Sequence, residues 1–135
     1  IGTMKATKQA AERAYQRAEI GPEDIDFADV HDNFTITEII SIEDLGFFEK
    51  GQVGPATERG DTALNSKVSV NTSGGFKAKG QPIGATGINQ AVEAVHQLRD
   101  DAGDRQVKNA QYGLSQNIGG TGGSAVVHIF ERWSE

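Results

Sequence analysis

A protein that moves protons near neutral pH needs side chains that titrate there. With no cysteine among 135 residues, only His31, His96 and His128 do so unperturbed. The missing cysteines also remove disulfides, thiolate metal sites and a thiol nucleophile, so covalent acyl chemistry would need its nucleophile from elsewhere. His31 closes the alternating run Ile25-Asp26-Phe27-Ala28-Asp29-Val30 and precedes a helical stretch, the strand-to-helix junction where α/β proteins place reactive groups. His96 on a helix and His128 on a terminal strand have no partners at chemically useful spacing and read as structural or surface residues. The stretch from Asn71 to Gly87 carries Gly74, Gly75, Gly80, Gly84, Gly87 and Pro82, a density that lets backbone approach a ligand or another chain. A second glycine cluster, Gly119-Gly120-Thr121-Gly122-Gly123, joins two apolar runs. Neither cluster is a phosphate loop, because no Gly-Lys pair is followed by Ser or Thr, and no Gly-x-Gly-x-x-Gly lies between a strand and a helix. Asp26, Asp29, Asp32, Glu38, Glu43 and Asp44 follow strand alternation and a solvated helix face, and no metal site is expected from them.

The elements that must position these residues can be read from periodicity. Met4, Thr7, Ala11, Ala14 and Ala18 recur at helical steps and Gly21-Pro22 stops them. After the strand ending at His31, Thr35 and Glu38 have capping-box spacing, so a helix should start between Asp32 and Thr35 and run through Ile36, Ile39, Ile40 and Leu45 to Gly46. Residues 47–66 lose periodicity and read as a loop with a possible short helix. Val68-Ser69-Val70 is a small strand that feeds the glycine-rich loop. Ile88, Ala91, Val92, Val95 and Leu98 form the next helical stripe, ended by the polar segment Asp100 to Asp104. Ala110 to Asn117 and Ser124 to Phe130 make a closing strand pair, joined by the second glycine cluster as a hairpin or a wider ligand-lining loop. The fold class is therefore α/β, a mixed sheet layered with helices and ending in an antiparallel pair, with residues 1–135 as one partial domain. Its strand-end loops at His31, Gly74 to Gly87 and Asn117 to Gly123 are expected to meet at one edge of the sheet.

Composition narrows the function classes. A net charge of -6 with 13 scattered basic residues disfavours nucleic acid as a partner. No apolar run reaches the length that spans a bilayer, so no membrane partner is expected and the cytoplasm is the default compartment.

Three segments together resemble the thiolase superfamily, in its archaeal and sterol-carrier-protein-type branch. Val30-His31-Asp32-Asn33-Phe34 is similar to the family's His-Asp-Cys-Phe motif. The glycine-rich loop through Gly80-Gln81-Pro82-Ile83-Gly84 resembles its Gly-Gly, four residues, Gly-His-Pro loop, and Gln116-Asn117-Ile118-Gly119-Gly120 its Cys-x-Gly segment. The likeness covers nearly the whole chain and implies the C-terminal half of a layered αβαβα subunit, with the nucleophilic half missing. This chain departs from the pattern at Gln81, where the family has histidine, and at Asn117 and Asn33, where it has cysteine. Amides hold hydrogen bonds but do not titrate near neutrality.

The resemblance implies that His31, Gln81 and Asn117 occupy the catalytic positions. Asn33, Gly75, Gly80, Pro82, Gly119 and Gly120 would then line the substrate. It implies acetyl-CoA C-acetyltransferase chemistry, Claisen condensation or thiolysis, on a coenzyme A thioester as substrate with no other cofactor. The isolated chain is expected to be inactive. A homo-oligomer is expected by analogy. Two other readings stand beside it: a non-catalytic thiolase-like acyl-CoA-binding or assembly subunit, and a thiolase-like aldolase with an OB-fold partner in which Tyr112 replaces a missing group.

Overall fold

The computed structural model describes residues 2–133. Its helices are α1 (Lys5–Ala18), α2 (Thr35–Asp44), α3 (Val53–Arg59), α4 (Gly75–Lys79) and α5 (Thr86–Leu98). Its strands are β1 (Phe27–Asp29), β2 (Ser69–Val70), β3 (Tyr112–Gly119) and β4 (Ser124–Glu131). They form one sheet in the order β2-β1-β3-β4, with β1 parallel to β2 and β3 and β3 antiparallel to β4. The mixed sheet with its antiparallel closing pair is as the sequence predicts.

Because side chains alternate across a strand, each face of β1 packs on a different helix layer. Ala28 and Val30 join Leu114 in a core with Ala11 of α1, Ile42 of α2, Leu45 and Val53 of α3. Phe27 turns the other way, onto Ala94 of α5 with Val107 and Ala110. Covered on both faces, β1 buries even its polar Asp29, which the alternating pattern places toward solvent. Gly113, paired with Phe27, leaves room for that aromatic ring; a Cβ there would run into it.

Several boundaries differ from the sequence reading, each for a local reason. Glu19, in the left-handed conformation, ends α1 ahead of Gly21, and Pro22 opens a short 3-10 turn instead. Thr35 and Glu38 make no capping box: Phe34 is the N-cap, without a side-chain bond, and Glu38 is drawn to Asn71 and Lys77. The possible short helix in residues 47–66 is α3. The glycine-rich run holds a further helix, α4, which its glycines conceal from propensity reasoning.

The largest reversal concerns α5. Ile88, Val92 and Val95, read as its core stripe, are 68%, 48% and 46% exposed, while Gln90, Glu93 and Gln97 are buried. The cause is hydrogen bonding: the backbone of 100–107 crosses under the helix and needs partners. Gln97 supplies them, donating to the carbonyl of Arg105 and accepting from the amide of Val107, while Glu93 pairs with Arg105 at 2.9 Å. Of the stripe, Ile88, Val92 and Val95 face away from this domain's own core, while Leu98 packs against the Phe27 cluster.

Candidate functional site

The ends of the central strands converge as the sequence predicts. β1 stops at Asp29 while β3 continues to Gly119, so the next two amides of the β1 chain leave the ladder. Side chains from the flanking strand ends take them: Val30 N donates to Asn71 Oδ1 and His31 N to Gln116 Oε1, both at 2.9 Å. His31 is thereby held at the sheet edge, 3% exposed. Its ring stands edge-on to Phe76 with centroids 4.9 Å apart.

The tautomer of His31 follows from its two contacts. Ile118 N lies 3.3 Å from Nδ1, and a backbone N–H can only donate, so Nδ1 is the acceptor and Nε2 carries the ring proton. The terminal amide of Gln81 lies 3.2 Å from Nε2. Two donors cannot bond each other, and we assign the amide the orientation in which its oxygen accepts from Nε2–H. Burial pushes the pKa of His31 below the ordinary histidine value, opposed by the charge of Asp32 and by the nearby Asn117 side chain. Near neutral pH the ring is an uncharged hydrogen-bond donor, suited to polarising a carbonyl or sheltering an oxyanion.

Asp32 fixes the glycine-rich loop to this edge. Its buried carboxylate accepts from Phe76 N at 2.7 Å and Lys77 N at 3.4 Å, at the start of α4. Gly75 is what permits that approach: at φ +63° it sits where any Cβ would strike the Asp32 carboxylate. Gly75 is therefore buried under the loop. Asn117 is close to His31 but bonded toward α5, donating to Thr86 Oγ1 at 3.2 Å and Gln90 Oε1 at 3.1 Å.

A cavity of about 280 Å³ opens beside His31, lined by Asn33, Phe34, Thr37, Ile118 and Gly120 among others. Asn33 and Gly120 thus both line this cavity. Gly119 pairs with Ser124 at the hairpin end, so the glycine cluster is both a hairpin and a cavity wall. Gly80 and Pro82 are exposed on the outer limb of the loop, with Ile83 95% exposed beside them. Tyr112 opens β3 at the opposite end of the strand, its hydroxyl donating to Glu131 at 3.2 Å, so it cannot replace a group at this site. His96 pairs with Asp101 on the surface and His128 is exposed on β4, as expected.

Gln116, Asn71, Asp32 and Gln90 were not singled out for this edge by sequence, yet they hold it together. For Gln116 a signal exists: it occupies the inward position of an otherwise apolar alternation, Leu114, Gln116, Ile118.

The thiolase C-terminal domain-like family matches residues 2–132, and the chain belongs to that family. Its relatives include an acetyl-CoA acetyltransferase of Methanothermobacter thermautotrophicus, 54% identical over 132 residues that span 98% of this chain and 34% of that protein. The acetyl-CoA acetyltransferase of Methanocaldococcus jannaschii is 46% identical, covering 96% of this chain and 34% of its own length. Sterol carrier protein 2 of Rattus norvegicus is 42% identical across 92% of this chain and 22% of its length. Among solved structures, a chain of an Ltp2-ChsH2(DUF35) aldolase superposes with a TM-score of 0.76 at 24% identity, over 91% of this chain and 30% of that one, a likeness of fold. The chain spans about a third of the length of the archaeal relatives it matches. Among the described residues no helix is long and apolar enough to cross a membrane.

Proposed function

We propose that this chain forms the C-terminal part of an acetyl-CoA C-acetyltransferase-type enzyme of the cytoplasm, acting on coenzyme A thioesters with no further cofactor. The observation that carries the reading is the locked Nε2–H of His31, within reach of Gln81 and beside a cavity walled by Asn33 and Gly120. In this role His31 Nε2–H exchanges its bond to Gln81 for one to the bound thioester carbonyl, polarises it and stabilises the charge that develops on its oxygen during condensation or thiolysis. The nucleophile and the base come from the first half of the longer protein, because Gln81, Asn117 and Asn33 do not accept a proton near neutrality. The exposed stripe Ile88, Val92 and Val95 supports a docking face for that half, and assembly as a homo-oligomer completes the picture.

Thiolysis and condensation by the full-length protein test this. Removing one oxyanion donor typically costs 10²–10³ in turnover, so His31→Ala should lose roughly that factor. Gln81→His restores a titrating group next to His31 and should raise turnover by about a hundredfold. Wild-type rates in both variants would place the chemistry elsewhere.

The three amides favour a second reading, a thioester-binding or assembly subunit without turnover. It predicts that the full-length protein binds acyl-CoA with an affinity sensitive to His31→Ala while showing no reaction.

A further inference from the structure

We propose that Gln116 is a positioning residue for His31, acting as a clamp between α1 and the site. The inference rests on the reading of His31 as the donor of the site. Gln116 is fully buried, and each end of its amide is engaged by a different element. Oε1 accepts from His31 N at 2.9 Å, and Nε2 donates to Thr7 Oγ1 of α1 at 3.0 Å, itself fully buried. The bonds fix the amide orientation without ambiguity at the His31 end, since the backbone N–H must meet an oxygen. The main chain of Gln116 is held from the other face of the sheet, where Gln90 Nε2 donates to both its carbonyl and that of Asp29 at 3.0 Å.

The position of Gln116 explains why it bears on the imidazole. Residue 116 lies beyond the last ladder pair of β1, Asp29 with Ser115. Without its side chain the amide of His31 would be buried and unbonded where β1 and β3 part company. Two residues further along the same strand, Ile118 N reaches His31 Nδ1 at 3.3 Å. One segment of β3 therefore grips the backbone of His31 with a side chain and its ring with a backbone amide. If the first grip loosens, the ring moves relative to the second and the tautomer is no longer dictated. A buried glutamine that merely fills space would have no such effect on the ring.

The ring nitrogens of His31 report this directly, by ¹⁵N resonance in the full-length protein with selectively labelled histidine, assigned against His31→Gln. The wild-type ring should show one tautomer, Nδ1 unprotonated and Nε2 protonated, with a titration midpoint below that of an ordinary histidine. Gln116→Met keeps the volume and removes both bonds; the two nitrogen shifts should move toward each other and the midpoint should rise. Thr7→Val cuts only the far anchor and should give a smaller shift of the same sign, with Thr7→Ser restoring the wild-type signature. If Gln116→Met does not fold, the Thr7 pair carries the test. Turnover, where present, should fall roughly tenfold to a hundredfold in Gln116→Met, with KM little changed. Ring signatures identical to wild type in folded Gln116→Met, or in Thr7→Val when the former is not recovered, would overturn the proposal. A protein that shows no turnover but whose ring responds as described would refute the enzymatic reading and leave the clamp standing.

Discussion

Asp29→Asn should stabilise the protein, and only above acidic pH. Asp29 is 5% exposed in β1, inside the sheet, and among the described residues its Oδ2 has no hydrogen-bond partner. Burial pushes its pKa up to about 7; Lys79 and Arg105 pull it down, while Glu93 and Asp32 push it further up. A carboxyl whose folded pKa lies above the unfolded value favours the fold while protonated. That contribution is present below the model-peptide value of 3.8 and is lost as pH rises toward about 7. A gap of about three units at roughly 1.4 kcal/mol each sets a ceiling of about 4 kcal/mol for the penalty at alkaline pH. Asparagine cannot ionise and removes it, but its amide brings donors without ready partners, which returns about 1–3 kcal/mol. The net expectation is a gain of order 1–3 kcal/mol at about pH 8 that shrinks to nothing or reverses near pH 4. Urea unfolding of the full-length protein and the variant, followed by circular dichroism across this range, measures it. A difference between the two that stays constant with pH would show that Asp29 ionises as freely in the fold as out of it, and the reasoning would fail.

Two further perturbations probe the scaffold. Gly75→Ala forces a side chain into left-handed backbone and against Asp32, and should cost about 1–3 kcal/mol in thermal unfolding; an unchanged melting temperature would mean the loop yields without cost. Val92→Glu places a charge on the outward stripe of α5. It should leave the secondary structure of this domain intact while destabilising the full-length protein by about 1–3 kcal/mol, whereas equal stability of variant and wild type would show that the stripe is solvated in the whole molecule.

Much of the fold was legible because its signals are local. The alternation into His31, the turn glycines before Ser124 and the apolar runs of β3 and β4 each depend on neighbours a few residues apart. What stayed hidden depends on long-range partners. The inward face of α5 is polar because Gln97 and Glu93 serve the 100–107 segment, a fact that no hydrophobic period encodes. Helical periodicity found the stripe of Ile88, Val92 and Val95 correctly but could not say against which body it packs. The convergence of His31, Gln81 and the Asn117 turn was legible through motif order, whereas the supports supplied by Asn71, Asp32 and Gln116 span 41, 44 and 85 residues of sequence and were not.

The amides at the three motif positions are not equivalent in what they hold together. Asn117 is woven into the fold: its Nδ2 serves both Thr86 and Gln90, and Gln90 in turn ties the carbonyls of Asp29 and Gln116. A thiol at that position would leave those oxygens short of a donor. Gln81 sits on the exposed limb of the loop, and its side-chain bond is to the ring of His31. A change there alters the hydrogen bonding and acid-base character of the site while leaving the packing almost untouched. Asn33 spends its oxygen on the neighbouring amide of Phe34 at 3.1 Å, a local bond that ties it to no other element. The side chain at 81 is thus separable from the architecture, whereas Asn117 is part of what holds β3 to α5. The frame that holds His31, Gln116 at its backbone and Ile118 N at its ring, therefore does not depend on whether residue 81 can titrate.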